Sequence, residues 1–140
     1  MAQEQDCIFC KIVAGAIPCF KLAEDDRTLA FMDINPGNPG HALVIPKVHA
    51  PDLHAVAPDD LAAVIRMAQR VAGAIKAELA PAGLNLVQAN GPGAAQSVLH
   101  FHMHVLPRAT DDGLKLNWGL KPGDMAAIGA LAERLKRHLA

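Results

Sequence analysis

Apolar and polar positions alternate in several short runs, broken by two stretches with helical spacing. Residues 20–24 and 27–34 read as two strands around the turn-forming pair Asp25-Asp26. Every residue of Asn35-Pro36-Gly37-Asn38-Pro39-Gly40 favours a turn, so this stretch is a loop. His41-Ala42-Leu43-Val44-Ile45 follows as a buried strand that Pro46 stops. Pro58 suits a first helical position, and Asp59 and Asp60 sit favourably at the positive helix end. Leu61, Val64, Ile65, Ala68, Ala72, Ile75 and Leu79 then recur as a helical stripe that stops before Pro81-Ala82-Gly83. Met67 and Val71 fall outside that stripe and are expected to meet a second subunit. Residues 84–88 form a short strand, Asn90 to Ala95 a glycine-rich loop, and residues 99–106 the last strand. A closing helix over 124–139 carries Ile128, Leu131, Leu135 and Leu139 on one side. Near the start, residues 11–16 predict one helical turn ending near Gly15. Strands joined by short connections favour antiparallel pairing, hence a single α+β domain with two main helices.

The bulk properties narrow the function classes. The chain has 140 residues, of which 51% are hydrophobic, enough for one compact core. With 13 basic and 14 acidic residues the net charge is -1, which gives no general attraction to nucleic acid or to an anionic membrane. No apolar run approaches the roughly 18 to 20 residues that span a bilayer. The first six residues are polar and show no apolar leader. Three cysteines, two of them as Cys7-x-x-Cys10, do not suggest a disulfide framework. The expected setting is the cytoplasm.

The informative segment runs from Gln96 through His100-Phe101-His102-Met103-His104 to Arg108. In a strand, side chains alternate faces, so the three histidines would share one face at about 6.6 Å spacing. Phe101, Met103 and Val105 would then point into the core. Three imidazoles in a row, each with a pKa near 6.5, would repel one another when charged. Three readings apply: solvated or core histidines, a three-histidine zinc site, or a nucleophile beside an anchored phosphate. The preceding loop supports phosphate, because its glycines leave backbone amides able to turn inward, with Gln96 and Ser97 as further donors. Cys7 and Cys10 form half of a tetrahedral zinc site, with buried reduced thiols or a redox pair as alternatives.

The run His100-Phe101-His102-Met103-His104-Val105-Leu106 resembles the signature of the histidine triad superfamily of nucleotide hydrolases and transferases. Cys7-Ile8-Phe9-Cys10-Lys11-Ile12, Ile17-Pro18, Phe31-Met32-Asp33-Ile34-Asn35-Pro36 and Pro39-Gly40-His41-Ala42-Leu43-Val44-Ile45-Pro46-Lys47 match in order, so the likeness covers nearly the whole chain. It implies a five-stranded antiparallel sheet that becomes ten-stranded in a homodimer. It implies that His102 attacks the α-phosphorus to form a nucleotidyl-histidine, its other ring nitrogen held by the carbonyl of His100. His104 and His41 would contact the phosphate, and histidine rather than glutamine at position 104 favours hydrolysis over nucleotidyl transfer. Asp33 would bind the ribose hydroxyls, where its alternative role is capping the turn before Asn35-Pro36. Ile17, Phe20, Ile34 and Leu43 would sandwich a purine, or serve as ordinary core. Asn90, Gln96 and Ser97 would bind the phosphate, with Ser97 helping to protonate a leaving amine. His49 and His100 would complete a structural zinc site with Cys7 and Cys10, and no organic cofactor is implied.

The sequence departs from the phosphoramidate-cleaving branch at Ala89, where many relatives have asparagine, and at Ala95, where many have glycine. The expected substrate is an adenosine or other purine nucleoside 5′-phosphoramidate, and the alternative is a dinucleoside polyphosphate. A nucleotide- or zinc-binding adaptor is the non-enzyme alternative, which the full histidine set disfavours because binding alone needs no nucleophile. Trp118 is expected to reach toward a partner's site, whereas Cys19, His54 and His138 carry no expected role.

Overall fold

A computed structural model describes residues 4–116 and 118–139. Its elements are α1 (Ile8–Val13), β1 (Lys21–Glu24), β2 (Thr28–Met32), β3 (Ala42–Pro46), α2 (Pro58–Leu79), β4 (Gly83–Val87), β5 (Met103–Arg108) and α3 (Met125–Lys136), with a 3₁₀ turn at Pro92–Ala94. The strands form one sheet in the order β1-β2-β3-β5-β4, with every neighbouring pair antiparallel. The α+β architecture expected from the strand connections is therefore present.

The turn between β1 and β2 is built by Asp25, whose Oδ1 accepts from the amides of Arg27 (2.9 Å) and Thr28 (2.7 Å). β2 and β3 are buried on both faces, and their side chains divide by parity. Ala30, Ala42 and Val44 join Val64, Met67, Ala68, Val71, Ile75, Phe101 and Val105 under α2. Leu29, Phe31, Leu43 and Ile45 join Phe9, Cys7 and Cys10 of the α1 region on the opposite face. Phe101 and Val105 are thus core residues, and Met103 packs against the same cluster.

Three sequence-based expectations change, and one helix that the sequence left unplaced is found exposed. The first helix starts at Ile8, not at residue 11, because the Cys7 sulfur caps it by accepting from the Cys10 amide at 3.3 Å. Met67 and Val71 are core residues of their own chain, whereas Ile65 and Leu79 of the expected stripe are exposed. Apolar residues cover more than half of the α2 circumference, so spacing alone could not say which half faces the sheet. The last strand begins at Met103, not at residue 99. Before it, residues 98–100 form a bend, and the Phe101 amide donates to the Ala50 carbonyl at 2.7 Å rather than to a neighbouring strand. Finally, α3 has no buried side chain among the described residues, and its apolar stripe lies in the open.

Candidate active site

One row of cross-strand partners, Phe31–Leu43–His104–Val87, places an imidazole on the α1 face of the sheet. The ladder runs one step further where the Asp33 amide donates to the His41 carbonyl at 3.0 Å, which brings Asp33 and His41 beside that row. A cavity of about 460 Å³ opens here. Phe9, Ile12, Ile17, Phe31 and Leu43 line its apolar end, and Asp33, His41, Ser97, His102 and His104 line its polar end. A larger cavity of about 540 Å³ lies between α2 and β1, but its lining is chiefly aliphatic, with no cluster of titratable groups suited to chemistry. Chemistry rather than volume selects the smaller one.

The three histidines do not act as one row. Because residues 99–102 leave the sheet, the His100 ring turns to the cysteines while His102 and His104 stay together, their ring centroids 5.0 Å apart. Phe9 separates the two groups, standing edge-on to His100 at 5.8 Å and to His102 at 5.2 Å. The His102 Nδ1–H donates to the His100 carbonyl at 2.7 Å, so the lone pair of the neutral ring lies on Nε2. This is the contact that the resemblance implies. Burial lowers the pKa of His102 and pushes His104 down to about 4, with His102 and His41 adding to the shift at His104.

The remaining predicted contacts divide. Ile17, Ile34, Leu43, Asp33 and Ser97 line the cavity, although Ile34 is otherwise exposed. Phe20 is 69% exposed and lies outside the cavity lining. Asn90 and Gln96 also lie outside it, and their polar atoms are committed to bracing the loop. Asn90 Oδ1 accepts from Leu53 N at 2.7 Å, and its Nδ2 donates to Gln88 at 2.6 Å. Gln96 Oε1 accepts from Gly91 N at 2.8 Å, and its Nε2 donates to the carbonyls of Pro51 (2.6 Å) and Val98 (3.0 Å). The amides of Ala94, Ala95 and Gln96 also close on carbonyls within the loop, so the expected inward cradle of loop amides does not form. Ala95 sits at φ +59°, a left-handed conformation that favours glycine. Phe9 and Phe31 are wall residues for which the sequence predicts no contact of their own. Phe9's place between two cysteines was the available signal.

Cys7, Cys10, His49 and His100 form a second cluster, their ligand atoms all within 4.8 Å of one another. Cys7 Sγ to His100 Nδ1 is 3.3 Å, Cys10 Sγ to His49 Nδ1 is 3.3 Å, and the two Nδ1 atoms are 3.2 Å apart. Tetrahedral coordination at ordinary Zn–S and Zn–N lengths sets ligand-to-ligand edges of about 3.3 to 3.8 Å, so the four atoms fit with little movement. The His100 Nε2–H donates to the Pro46 carbonyl at 2.8 Å, which leaves Nδ1 as a lone pair facing the sulfurs. The amides of Glu4 and Cys10 donate to Cys10 Sγ and Cys7 Sγ at 3.2 and 3.3 Å, an arrangement suited to thiolates. The cluster can hold a metal ion and would tie the α1 segment to the segment before β5.

Residues 14–111 match the HIT domain family. The chain is 43% identical over 134 residues to the adenosine 5'-monophosphoramidase hnt1 of Schizosaccharomyces pombe, covering 95% of this chain and 98% of the relative. It superimposes with a TM-score of 0.89 on a HIT family protein from Bacillus anthracis, 39% identical and covering 96% and 97% of the two chains. A zinc-bound histidine triad family protein from Mycobacterium smegmatis is 36% identical, with a TM-score of 0.74 and coverage of 96% and 95%.

Proposed function

The chain belongs to the HIT domain family, and from that premise we propose that it is a nucleotide hydrolase with His102 as its nucleophile. The observation that carries this reading is the bond of 2.7 Å from His102 Nδ1 to the His100 carbonyl, which leaves Nε2 as an unprotonated donor of electrons in the cavity. The same carbonyl would stabilise the ring as it becomes cationic. The substrate we assign is an adenosine or other purine nucleoside 5′-phosphoramidate, in keeping with the name of the fission-yeast relative. The base would lie among Ile12, Ile17, Phe31 and Leu43. Asp33 already accepts from the Asn35 amide at 2.8 Å, so it caps its turn, and a carboxylate has further lone pairs for the ribose hydroxyls.

In the first step Nε2 attacks the α-phosphorus. A phosphorus–nitrogen bond forms to His102 as the bond to the leaving group breaks, and the leaving amine takes the bonding pair and a proton. The Ser97 hydroxyl, in the cavity lining, is the group we assign to that proton transfer. Water then attacks the nucleotidyl-histidine, the ring recovers its lone pair, and a nucleoside 5′-monophosphate leaves while one water proton restores the Ser97 hydroxyl. Cys7, Cys10, His49 and His100 would hold a structural zinc ion, a closed site with no open position for chemistry. The protein would act as a homodimer through β4 and α2, where Ile65, Ala72, Leu84 and Leu86 line a groove of about 410 Å³ beside the sheet edge.

The test is to trap the intermediate: incubate with an adenylyl substrate, quench in acid-free denaturant, and map the adenylated residue by mass spectrometry. Adenylation at His102 is expected. His102→Ala should lower turnover by roughly three orders of magnitude or more while nucleotide affinity is largely kept. Turnover by the wild type with adenylation at another residue would overturn the assignment. Faster hydrolysis of a diadenosine polyphosphate than of a phosphoramidate would replace the substrate class and leave the nucleophile in place.

A further inference from the structure

His41 was expected to touch the phosphate, yet both of its ring nitrogens are already engaged within the chain. Gly37 N–H donates to His41 Nδ1 at 2.9 Å. A backbone amide can only donate, so His41 Nδ1 must present its lone pair, and the proton of the neutral ring lies on Nε2. That Nε2 is 2.8 Å from His104 Nδ1 and 3.4 Å from Asp33 Oδ2. The His41 Nε2–H therefore donates to His104 Nδ1, with the carboxylate as a longer second acceptor. His104, accepting on Nδ1, must carry its own proton on Nε2. A cationic His41 would set an Nδ1–H against the Gly37 amide, so the arrangement also opposes charging of that ring.

We infer that His41 is a positioning residue, holding His104 as a neutral Nε2–H donor through a directed chain of hydrogen bonds that begins at the Gly37 amide. The chain assigns different roles to neighbouring rings before any ligand arrives. His102 offers a lone pair on Nε2, and His104 offers a proton on Nε2, so His104 cannot serve as the nucleophile. The head of the chain is itself held. A Cβ at Gly37 would meet Leu114 Cδ1 at 3.2 Å and Leu106 Cδ1 at 3.3 Å, so the loop lies pressed against β5 and the segment after it. Asn38 Nδ2 next to it donates to the Pro107 carbonyl at 2.9 Å and to Asp112 at 3.0 Å. A turn loop with no catalytic side chain of its own thereby sets the protonation pattern of the site.

The effect on turnover rests on the hydrolase reading, whereas the tautomers do not, and the experiment separates the two. Side-chain nitrogen NMR of histidine-labelled, metal-replete protein at neutral pH should show His41 and His104 protonated on Nε2 and bare on Nδ1, with scalar coupling across the bond between them. In His41→Leu the coupling vanishes, His104 becomes a mixture of tautomers, and kcat falls roughly tenfold, the worth of one hydrogen bond, with KM nearly unchanged. His41→Gln keeps an N–H donor toward His104 and should recover most of the lost kcat. Protonation of wild-type His104 on Nδ1 overturns the inference, as does a His41→Leu protein with one tautomer and full kcat. A loss confined to KM also overturns it, since that marks a direct phosphate contact. If the wild type turns over no nucleotide substrate, the hydrolase reading fails and the NMR spectra alone decide the tautomers.

Discussion

Three identical side chains acquire three different roles from what their ring nitrogens meet: a carbonyl at His102, a carbonyl on one side and two sulfurs on the other at His100, and another imidazole at His104. Their burial has a consequence for pH. His100 and His104 are held down to about 4, mainly by burial, and burial lowers His102 and His41 as well. An unfolded histidine titrates near 6.5, so between about 6.5 and 4 the unfolded chain takes up protons that the folded chain refuses. The contribution of these rings to stability is therefore complete above about 6.5 and declines as pH falls toward 4. The attack proposed for His102 needs its neutral form, so the acid limb of kcat/KM should lie below pH 6.5. A pH profile with parallel denaturation curves checks both, and an acid limb centred above 6.5 contradicts them. The residue types of this site were legible in the sequence, since three histidines at alternate positions demand an explanation. Their tautomers were not, apart from that of His102, whose carbonyl partner lies two residues away in His100; those of His100 and His104 depend on the Pro46 carbonyl and on His41 with its Gly37 amide.

At the scale of elements, the useful failure is the last strand. Alternation holds for Phe101 and Val105, which reach the core, and His104, which faces the cavity. It does not hold for His100, because pairing with β3 stops at Met103 and the backbone before it turns toward Ala50. A periodic pattern reports the faces of a segment only while the segment stays extended. The α1 helix shows the reverse case: six residues are too few for a stable helix alone, so its order must come from tertiary ties. The Cys and His cluster supplies them. We expect about one zinc ion per chain by metal analysis. Chelation should lower the melting temperature and speed amide exchange in α1, while exchange in β2 and β3 changes little. A fully chelated protein with an unaltered melting curve would remove the structural role of the clip.

For the whole molecule, β4 is an open sheet edge whose Leu86 is 42% exposed, beside Ile65 of α2 at 44%. An edge of this kind invites pairing with a second copy. The double variant Ile65→Glu, Leu86→Lys should convert a dimer into a monomer in sedimentation velocity, with the monomer's circular dichroism unchanged. A wild type that sediments as a monomer at micromolar concentration would dismiss the pairing. The sequence by itself determined the strand order of occurrence, the apolar runs that become a sheet buried on both faces, and the kinds of side chain available for chemistry. It could do so because local periodicity and turn preferences are properties of neighbouring residues. Tertiary structure alone decided which half of α2 is covered, where the extended run of histidines breaks so that the His100 ring leaves the face shared by His102 and His104, and where His100, His41 and His104 keep their protons. Those choices depend on hydrogen-bond partners dozens of residues away, such as Pro46 for His100 and His104 for His41, and distance along a chain carries no record of them.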